Sequence, residues 1–133
     1  MSLAAGQGLP DPPTCGVAGM RLETLRDLLK CEVLTGAEDL DTEIETVIAA
    51  DAMSAVLACP HLRGLLITGL TNIHSVRTAQ VASLPAIMYV RGGRPTEATI
   101  KLARDNKTVL LSTKLGMFDS CGILFGHGIR GGN

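Results

Sequence analysis

Aromatic side chains are scarce in this chain of 133 residues. Tryptophan is absent, and Tyr89, Phe118 and Phe125 make up 2% of the sequence. Domains that bind single-stranded nucleic acid stack the bases on aromatic side chains, so this composition does not favour that function. Apolar residues still make up 46% of the chain. A single domain of this length must therefore build its core from Leu, Ile, Val, Ala and Met.

An excess of charge of one sign is also missing. The chain carries 12 basic and 13 acidic side chains, a formal net charge of −1. Binding to nucleic-acid phosphates requires a basic surface, and we expect no nucleic-acid partner. The chain also lacks an apolar run of about 18 residues, the length that spans a membrane, and a recognisable signal peptide. These absences predict no membrane association and a cytoplasmic location.

Closely spaced metal ligands are missing as well. The four cysteines form no CxxC or CxxH pair, and no histidine has a metal-ligating residue three or four positions away. Zinc and iron–sulfur sites need such spacing, so we expect no metal and no cofactor. Cysteines among apolar neighbours act as small buried hydrophobes, and all four are predicted to be free thiols. The cysteines are Cys15, Cys31, Cys59 and Cys121, and the histidines are His61, His74 and His127.

Nucleophile and phosphate-loop motifs are absent too. The chain contains no GxxxxGK[ST] or GxSxG sequence, which are common signatures of nucleotide-binding loops and hydrolases. Ser112 and Cys121 have no histidine at a spacing that suggests a catalytic partner. We therefore predict a protein that is not an enzyme, and keep a hydrolase or transferase as the less favoured alternative.

Residues 65–113 contain three short apolar runs separated by two segments of helical character. The runs LLIT, AIMYV and VLLS have strand length, and their alternation with helices is typical of βαβ units. We predict an α/β fold, a single three-layer-like domain with a mostly parallel central sheet flanked by helices. The strands that end at Thr68, Val90 and Ser112 are predicted to be parallel neighbours.

The flanking segments complete this prediction. Three prolines and four glycines in residues 1–19 predict a disordered tail. The domain is predicted to cover residues 20–129, and residues 130–133 are predicted to form a loose tail. Helices are predicted over 20–30, over 73–84, over 95–106 and from 117, with a short strand and turn over 31–36 and a strand over 44–50. Asp51 is predicted to cap a further short helix that Pro60 ends. The last helix is predicted to bury Met117, Cys121, Leu124 and Phe125.

Small and basic residues follow the predicted parallel strands. The carboxyl ends of parallel strands share one edge of the sheet, where α/β proteins usually bind ligands. Thr71 and Asn72 begin the next helix, whose amides attract anions, although simple capping is the alternative. Arg77 and Arg91 can clamp a phosphate or carboxylate, and for Arg91 the alternative is a salt bridge to an acidic residue such as Asp51 or Glu97. The predicted ligand-binding residues are Thr68, Gly69, Thr71, Asn72, Arg77, Arg91, Gly92 and Thr113.

The same region resembles a known family. TNxxxxRTA from Thr71, the strand end YVRG and the helix MFxxCG are similar to DRTGG domains, in particular to small stand-alone members encoded beside iron-only hydrogenase genes. The resemblance covers Met20 to Ile129, and GLTNI occupies the place of the namesake pentapeptide. It implies a fold like the N-terminal domain of HPr kinase/phosphorylase and a non-catalytic, regulatory and dimerising module.

Together these observations predict a regulatory or accessory domain. We expect a homodimer that binds a small anionic ligand, such as an adenine nucleotide, at the strand ends. The alternative is a protein-interaction module that docks on a hydrogenase-related or redox enzyme and binds no small ligand.

Overall fold

The computed structural model describes residues 19–58 and 63–131. They form a six-stranded sheet, a two-stranded ribbon and five α-helices. In chain order the elements are β1 (Met20–Arg21), α1 (Leu22–Leu29), β2 (Glu32–Thr35), a 3-10 turn (Ala37–Asp39), β3 (Glu43–Ile44), β4 (Thr46–Ala49), α2 (Met53–Leu57), β5 (Gly64–Thr68), α3 (Ile73–Val81), β6 (Ala86–Tyr89), α4 (Glu97–Asp105), β7 (Val109–Ser112), α5 (Met117–Gly126) and β8 (Arg130–Gly131).

The central sheet has the order β2-β7-β6-β5-β4-β8. Strands β4 to β7 run parallel to their neighbours, as does β8 beside β4, and β2 is antiparallel to β7. The predicted α/β class with a mostly parallel sheet is therefore confirmed. So is the prediction that β5, β6 and β7 are parallel neighbours, because Thr68 pairs with Tyr89, and Tyr89 pairs with Ser112.

Helices cover both faces of the sheet. Successive residues of a strand point to opposite faces of the sheet. In β5, Leu65 and Ile67 therefore belong to the core beneath α1 and α5. Leu66 belongs to the core on the other face, beneath α2, α3 and α4. In β6, Met88 belongs to the first core and Tyr89 to the second. The arrangement is three layers, in which both faces of the parallel strands are buried.

The run from Ile44 to Ala50 is not one strand. It breaks at Glu45, whose backbone N–H donates to the Arg63 carbonyl at 2.9 Å. Before the break β3 pairs with β1, and after it β4 enters the central sheet. The single strand predicted over this run was wrong because the two halves pair with different partners, which the apolar pattern does not encode.

Three other expectations also differ from the structure. Ala52, rather than Asp51, is the N-cap of α2, and the predicted stop at Pro60 lies outside the described residues. Phe125 is 37% exposed, since the buried side of α5 is formed by Leu124 and Ser120. The tail predicted from residue 130 instead begins with β8, which pairs with Thr46 and Val47. Residues 1–18 lie outside the described residues.

Candidate functional site

The carboxyl ends of β5, β6 and β7 form one continuous edge. Val90 N–H donates to the Thr68 carbonyl at 3.2 Å, and Thr113 N–H donates to the Tyr89 carbonyl at 2.9 Å. The ladder thus extends one residue beyond each pair of strands. The predicted residues that directly follow the strands are thereby brought to the same side of the molecule.

Arg91 and Gly92 form a tight turn at the end of β6. Their φ angles are +55° and +67°, and the Gly93 N–H donates to the Val90 carbonyl at 3.0 Å, which together are typical of a type I′ turn. That turn favours Asn, Asp or Gly at its first central position, where a left-handed non-glycine residue costs about 1–2 kcal/mol. The chain places arginine there, and such a position points to a functional side chain.

Two backbone hydrogen bonds fix this turn against the segment after β7. Arg91 N–H donates to the Leu115 carbonyl at 2.8 Å, and Gly92 N–H donates to the Thr113 carbonyl at 2.7 Å. On its other side, the turn approaches Thr71, because a Cβ on Gly93 would lie 3.0 Å from the Thr71 methyl carbon. The Arg91 side chain therefore starts from a backbone that is held between β5 and β7.

Asp51 lies at the same edge, after β4. Its Oδ1 accepts hydrogen bonds from the Gly69 N–H at 2.8 Å and from the Thr68 hydroxyl at 3.0 Å. A Cβ on Gly69 would lie 2.9 Å from Arg91 Nη2 and 3.6 Å from Asp51 Oδ1. The guanidinium thus lies close over the Gly69 backbone, and a Cβ there would displace only the flexible end of the Arg91 side chain. The carboxylate and the guanidinium flank the Gly69 backbone.

These neighbours hold the pKa of Asp51 below its usual value. The Gly69 N–H contributes most and the Thr68 hydroxyl next, desolvation opposes them, and the positive charge of Arg91 makes the smallest contribution to lowering the pKa. Each of the three groups favours the ionised carboxylate. Of the two acidic neighbours considered for Arg91, Asp51 and Glu97, the structure brings Asp51 to the guanidinium.

Thr68 and Thr113 are buried, and their hydroxyls are engaged within the protein. Thr68 Oγ1 bonds Asp51 and accepts the Leu70 N–H at 3.1 Å. Thr113 Oγ1 donates to the Leu29 carbonyl at 2.8 Å and so fixes the end of α1. Both residues shape the edge, and a direct contact with a ligand stays a prediction for each.

The start of α3 carries the remaining predicted residues. Asn72 is the N-cap, and its Oδ1 accepts the His74 N–H at 3.0 Å, which is the capping role considered as the alternative. The Thr71 carbonyl accepts from the Thr99 hydroxyl at 3.3 Å. Arg77 is exposed on the second turn of α3, about 7 Å along the axis from Asn72 at 1.5 Å per residue. The structure therefore brings Arg77 less close to the strand ends than the other predicted residues.

Sequence reasoning missed the part that Asp51 plays at this edge. It assigned the carboxylate to a helix cap, or to Arg91 as one of two acidic partners. The available signal was position, because Asp51 directly follows a buried run in the same way as Gly69 and Arg91 follow theirs. It also missed the pairing of Arg94 with Glu32, whose Nη2 and Oε1 lie 2.6 Å apart at the surface.

Cys31 is a partly buried thiol, and desolvation raises its pKa to about 12. Its Sγ lies 3.6 Å from Met88 Sδ, and the raised pKa favours the protonated thiol. Within residues 19–58 and 63–131 no three His, Cys, Asp or Glu side chains cluster as metal ligands. No helix in those ranges is long and apolar enough to cross a membrane.

Comparison with solved structures shows a relationship of fold. No family model and no curated protein sequence matches this chain. A crystal structure of the CBS and DRTGG domains of the regulatory region of a Clostridium perfringens pyrophosphatase, complexed with its activator diadenosine tetraphosphate, superposes with a TM-score of 0.67 at 15% identity. The match covers 82% of this chain and 47% of that chain. The likeness is one of fold and supports a DRTGG-like architecture.

Proposed function

We propose that this chain is a non-catalytic regulatory domain that binds a small phosphate-bearing ligand, such as an adenine nucleotide, at the carboxyl edge of the sheet. The observation that carries the proposal is Arg91, held in a left-handed turn conformation at that edge. The structural neighbour supports it, since that protein is a regulatory region complexed with an adenine-containing activator.

The edge combines two sources of attraction for a phosphate. The N-terminus of α3 supplies a dipole contribution of about 0.3–1 kcal/mol, while the His74 and Ser75 N–H groups already bond Asn72. A hydrogen bond from the Arg91 guanidinium to an anion contributes about 1.5–3 kcal/mol. Together these contributions amount to about 2–4 kcal/mol, which corresponds to millimolar binding or weaker, and apolar contact with a base or sugar is needed to reach the micromolar range. The negative charge of Asp51 lies near the guanidinium, and it also disfavours anions of high charge.

Isothermal titration calorimetry with AMP, ADP and ATP tests this proposal. We expect saturable binding of at least one nucleotide at millimolar concentration or below, and an affinity at least tenfold weaker in Arg91→Ala. Arg104→Ala is the matched control, because Arg104 is an exposed arginine in the last turn of α4. Absence of heat at millimolar nucleotide, or an equal loss in the two variants, would contradict the proposal.

We also propose that the domain forms a homodimer through α5. Phe118 is 89% exposed and Phe125 is 37% exposed, and residues seven apart lie on one face of a helix. Gly122 and Gly126 lie beside them, and a Cβ on either would meet nothing within 4 Å. Glycine in a helix lowers its stability by about 1 kcal/mol relative to alanine, and no contact in the described chain requires glycine at these two positions. The close approach of a second helix would explain why both positions are glycine.

Two-fold symmetry fits this face. An antiparallel pair of α5 helices with its axis between Cys121 and Gly122 places Phe118 of one copy opposite Phe125 of the other, as an isologous interface requires. We expect light scattering at micromolar concentration to give the dimer mass and Phe118→Ser to give the monomer mass. Val81→Ser is the control, because Val81 is 75% exposed on α3. A monomeric parent protein, or equal disruption by both substitutions, would refute the interface.

The exposed phenylalanines favour a second candidate function as well. They are suited to a protein-interaction module that docks on another enzyme, and the family resemblance points to a hydrogenase-related or redox enzyme as the partner. The nucleotide titration separates the two candidates. A monomer that binds no nucleotide and loses partner binding in Phe118→Ser would favour the interaction module.

A further inference from the structure

A cavity lies between the end of α1, the segment after β7 and α5. It shares Thr113 with the edge described above but is lined by neither Arg91 nor Asp51. Its volume is about 330 Å³, within the range of roughly 300–1,000 Å³ that holds small molecules. Nothing in the comparisons assigns a role to it. The lining residues are Leu28, Leu29, Lys30, Thr113, Lys114, Leu115 and Ile123.

The wall of this cavity is hydrocarbon. Four of the lining side chains are leucine or isoleucine. The hydroxyl of Thr113 already donates to the Leu29 carbonyl and accepts the Leu115 N–H. An aromatic base would lose water from its polar edge without replacement, which is unfavourable. The wall therefore fits an aliphatic body better than a nucleobase.

Two exposed lysines carry the charge at this cavity. Lys30 follows α1 in a left-handed conformation, with φ of +53°, and Lys114 lies between the lining residues Thr113 and Leu115. Neither forms an ion pair with a carboxylate of the described residues. An apolar wall with positive groups beside it is complementary to an amphipathic anion.

We propose that this cavity binds a small amphipathic organic anion, with an aliphatic body against the leucines and Ile123 and a carboxylate or phosphate head group at Lys30 and Lys114. The proposal goes beyond the nucleotide site. It requires neither Arg91 nor Asp51, and either site can fail without the other.

Calorimetric titration of the full chain with an eight-carbon series tests the chemistry. The probes are octanoate, octyl phosphate, octanol and octylammonium, with hexanoate for chain length. We expect both anions to bind more tightly than octanol and octanol more tightly than octylammonium, and octanoate to exceed hexanoate by about threefold to fourfold per methylene. The stronger of octanoate and octyl phosphate identifies the head group. Binding that ignores chain length, or octylammonium binding as tightly as octanoate, overturns the proposal.

Variants test the location. Lys30→Gln combined with Lys114→Gln should weaken octanoate binding at least tenfold and leave octanol binding unchanged. Lys101→Gln is the control, because Lys101 is an exposed lysine on α4. Ile123→Phe should fill the cavity and abolish binding of both probes. Because Ile123→Phe alters packing, its unfolding curve is recorded as well. If Ile123→Phe fails to fold, the octanoate affinity of the double lysine variant decides the result. Unchanged octanoate affinity in the lysine variant overturns the proposal.

Discussion

One hydroxyl group, that of Thr35, contributes two hydrogen bonds where β2 pairs with β7. In the antiparallel pair, Val33 opposes Leu111 and Thr35 opposes Leu110, so Leu34 is an extra residue and the strand bulges. At the bulge the Thr35 hydroxyl donates to the Thr108 carbonyl at 2.7 Å and accepts the Leu110 N–H at 3.0 Å. The Thr35 hydroxyl therefore takes the place of a backbone partner for the Thr108 carbonyl and the Leu110 N–H.

Thr35→Val removes this hydroxyl at nearly constant volume. The side chain is 6% exposed, so the two backbone groups would lose their partner where water has little access. Each unsatisfied buried group costs about 1–3 kcal/mol, and the added methyl returns about 0.8 kcal/mol. We expect the free energy of unfolding to fall by about 2–4 kcal/mol.

Urea unfolding followed by circular dichroism measures this loss, with an unchanged m-value as the check that both variants unfold alike. Thr35→Ser is the matched control, because it keeps the hydroxyl and removes one methyl group, for an expected loss of about 0.8 kcal/mol. If Thr35→Val proved as stable as the parent, or more stable than Thr35→Ser, the assignment of the hydroxyl to the ladder would be wrong.

Two further predictions concern the interior and the edge. Tyr89→Phe should lower the free energy of unfolding by about 1 kcal/mol, because the buried phenol lies 2.8 Å from the Ser75 hydroxyl. Ser75→Ala should lower the free energy of unfolding further, since it leaves the phenol unpaired. If urea unfolding gave the reverse order, this hydrogen-bond pair would be contradicted. Asp51→Asn should make the free energy of unfolding less dependent on pH in the acidic range. The folded-state pKa of Asp51 is lowered relative to about 3.9 in the unfolded chain, so its charge stabilises the fold above about pH 5 and this contribution is lost as pH falls through the folded pKa. The stability difference between the parent and Asp51→Asn should therefore be constant from pH 5 to 8 and shrink below about pH 4.

The parallel part of the sheet could be predicted because its signal is local. Each of β5, β6 and β7 is an apolar run bounded by turn residues, and burial on both faces removes the polar alternation that other strands show. The cap at Asn72 was equally predictable, since a capping side chain bonds an amide two or three residues away. These features require no knowledge of distant partners.

The features that sequence reasoning missed depend on long-range pairing. The antiparallel direction of β2 is set by contacts with a strand more than 70 residues later, and the break at Glu45 is set by Arg63. Phe125 was assigned to the core because apolar periodicity does not distinguish a buried face from an exposed one. In the proposed α5 interface, the apolar periodicity of this helix corresponds to burial between two copies of the chain.

The edge differs from a typical phosphate loop in where its polarity lies. Most backbone and hydroxyl groups there bond one another, as the hydrogen bonds of Thr68, Thr113 and Gly92 show. The remaining cation is the side chain of Arg91, whose field also acts on Asp51. A rigid, internally satisfied frame that presents one flexible cation would hold the proposed anion by charge rather than by a shaped cradle. Such binding would be weak and reversible, as the proposed sensing of a ligand requires.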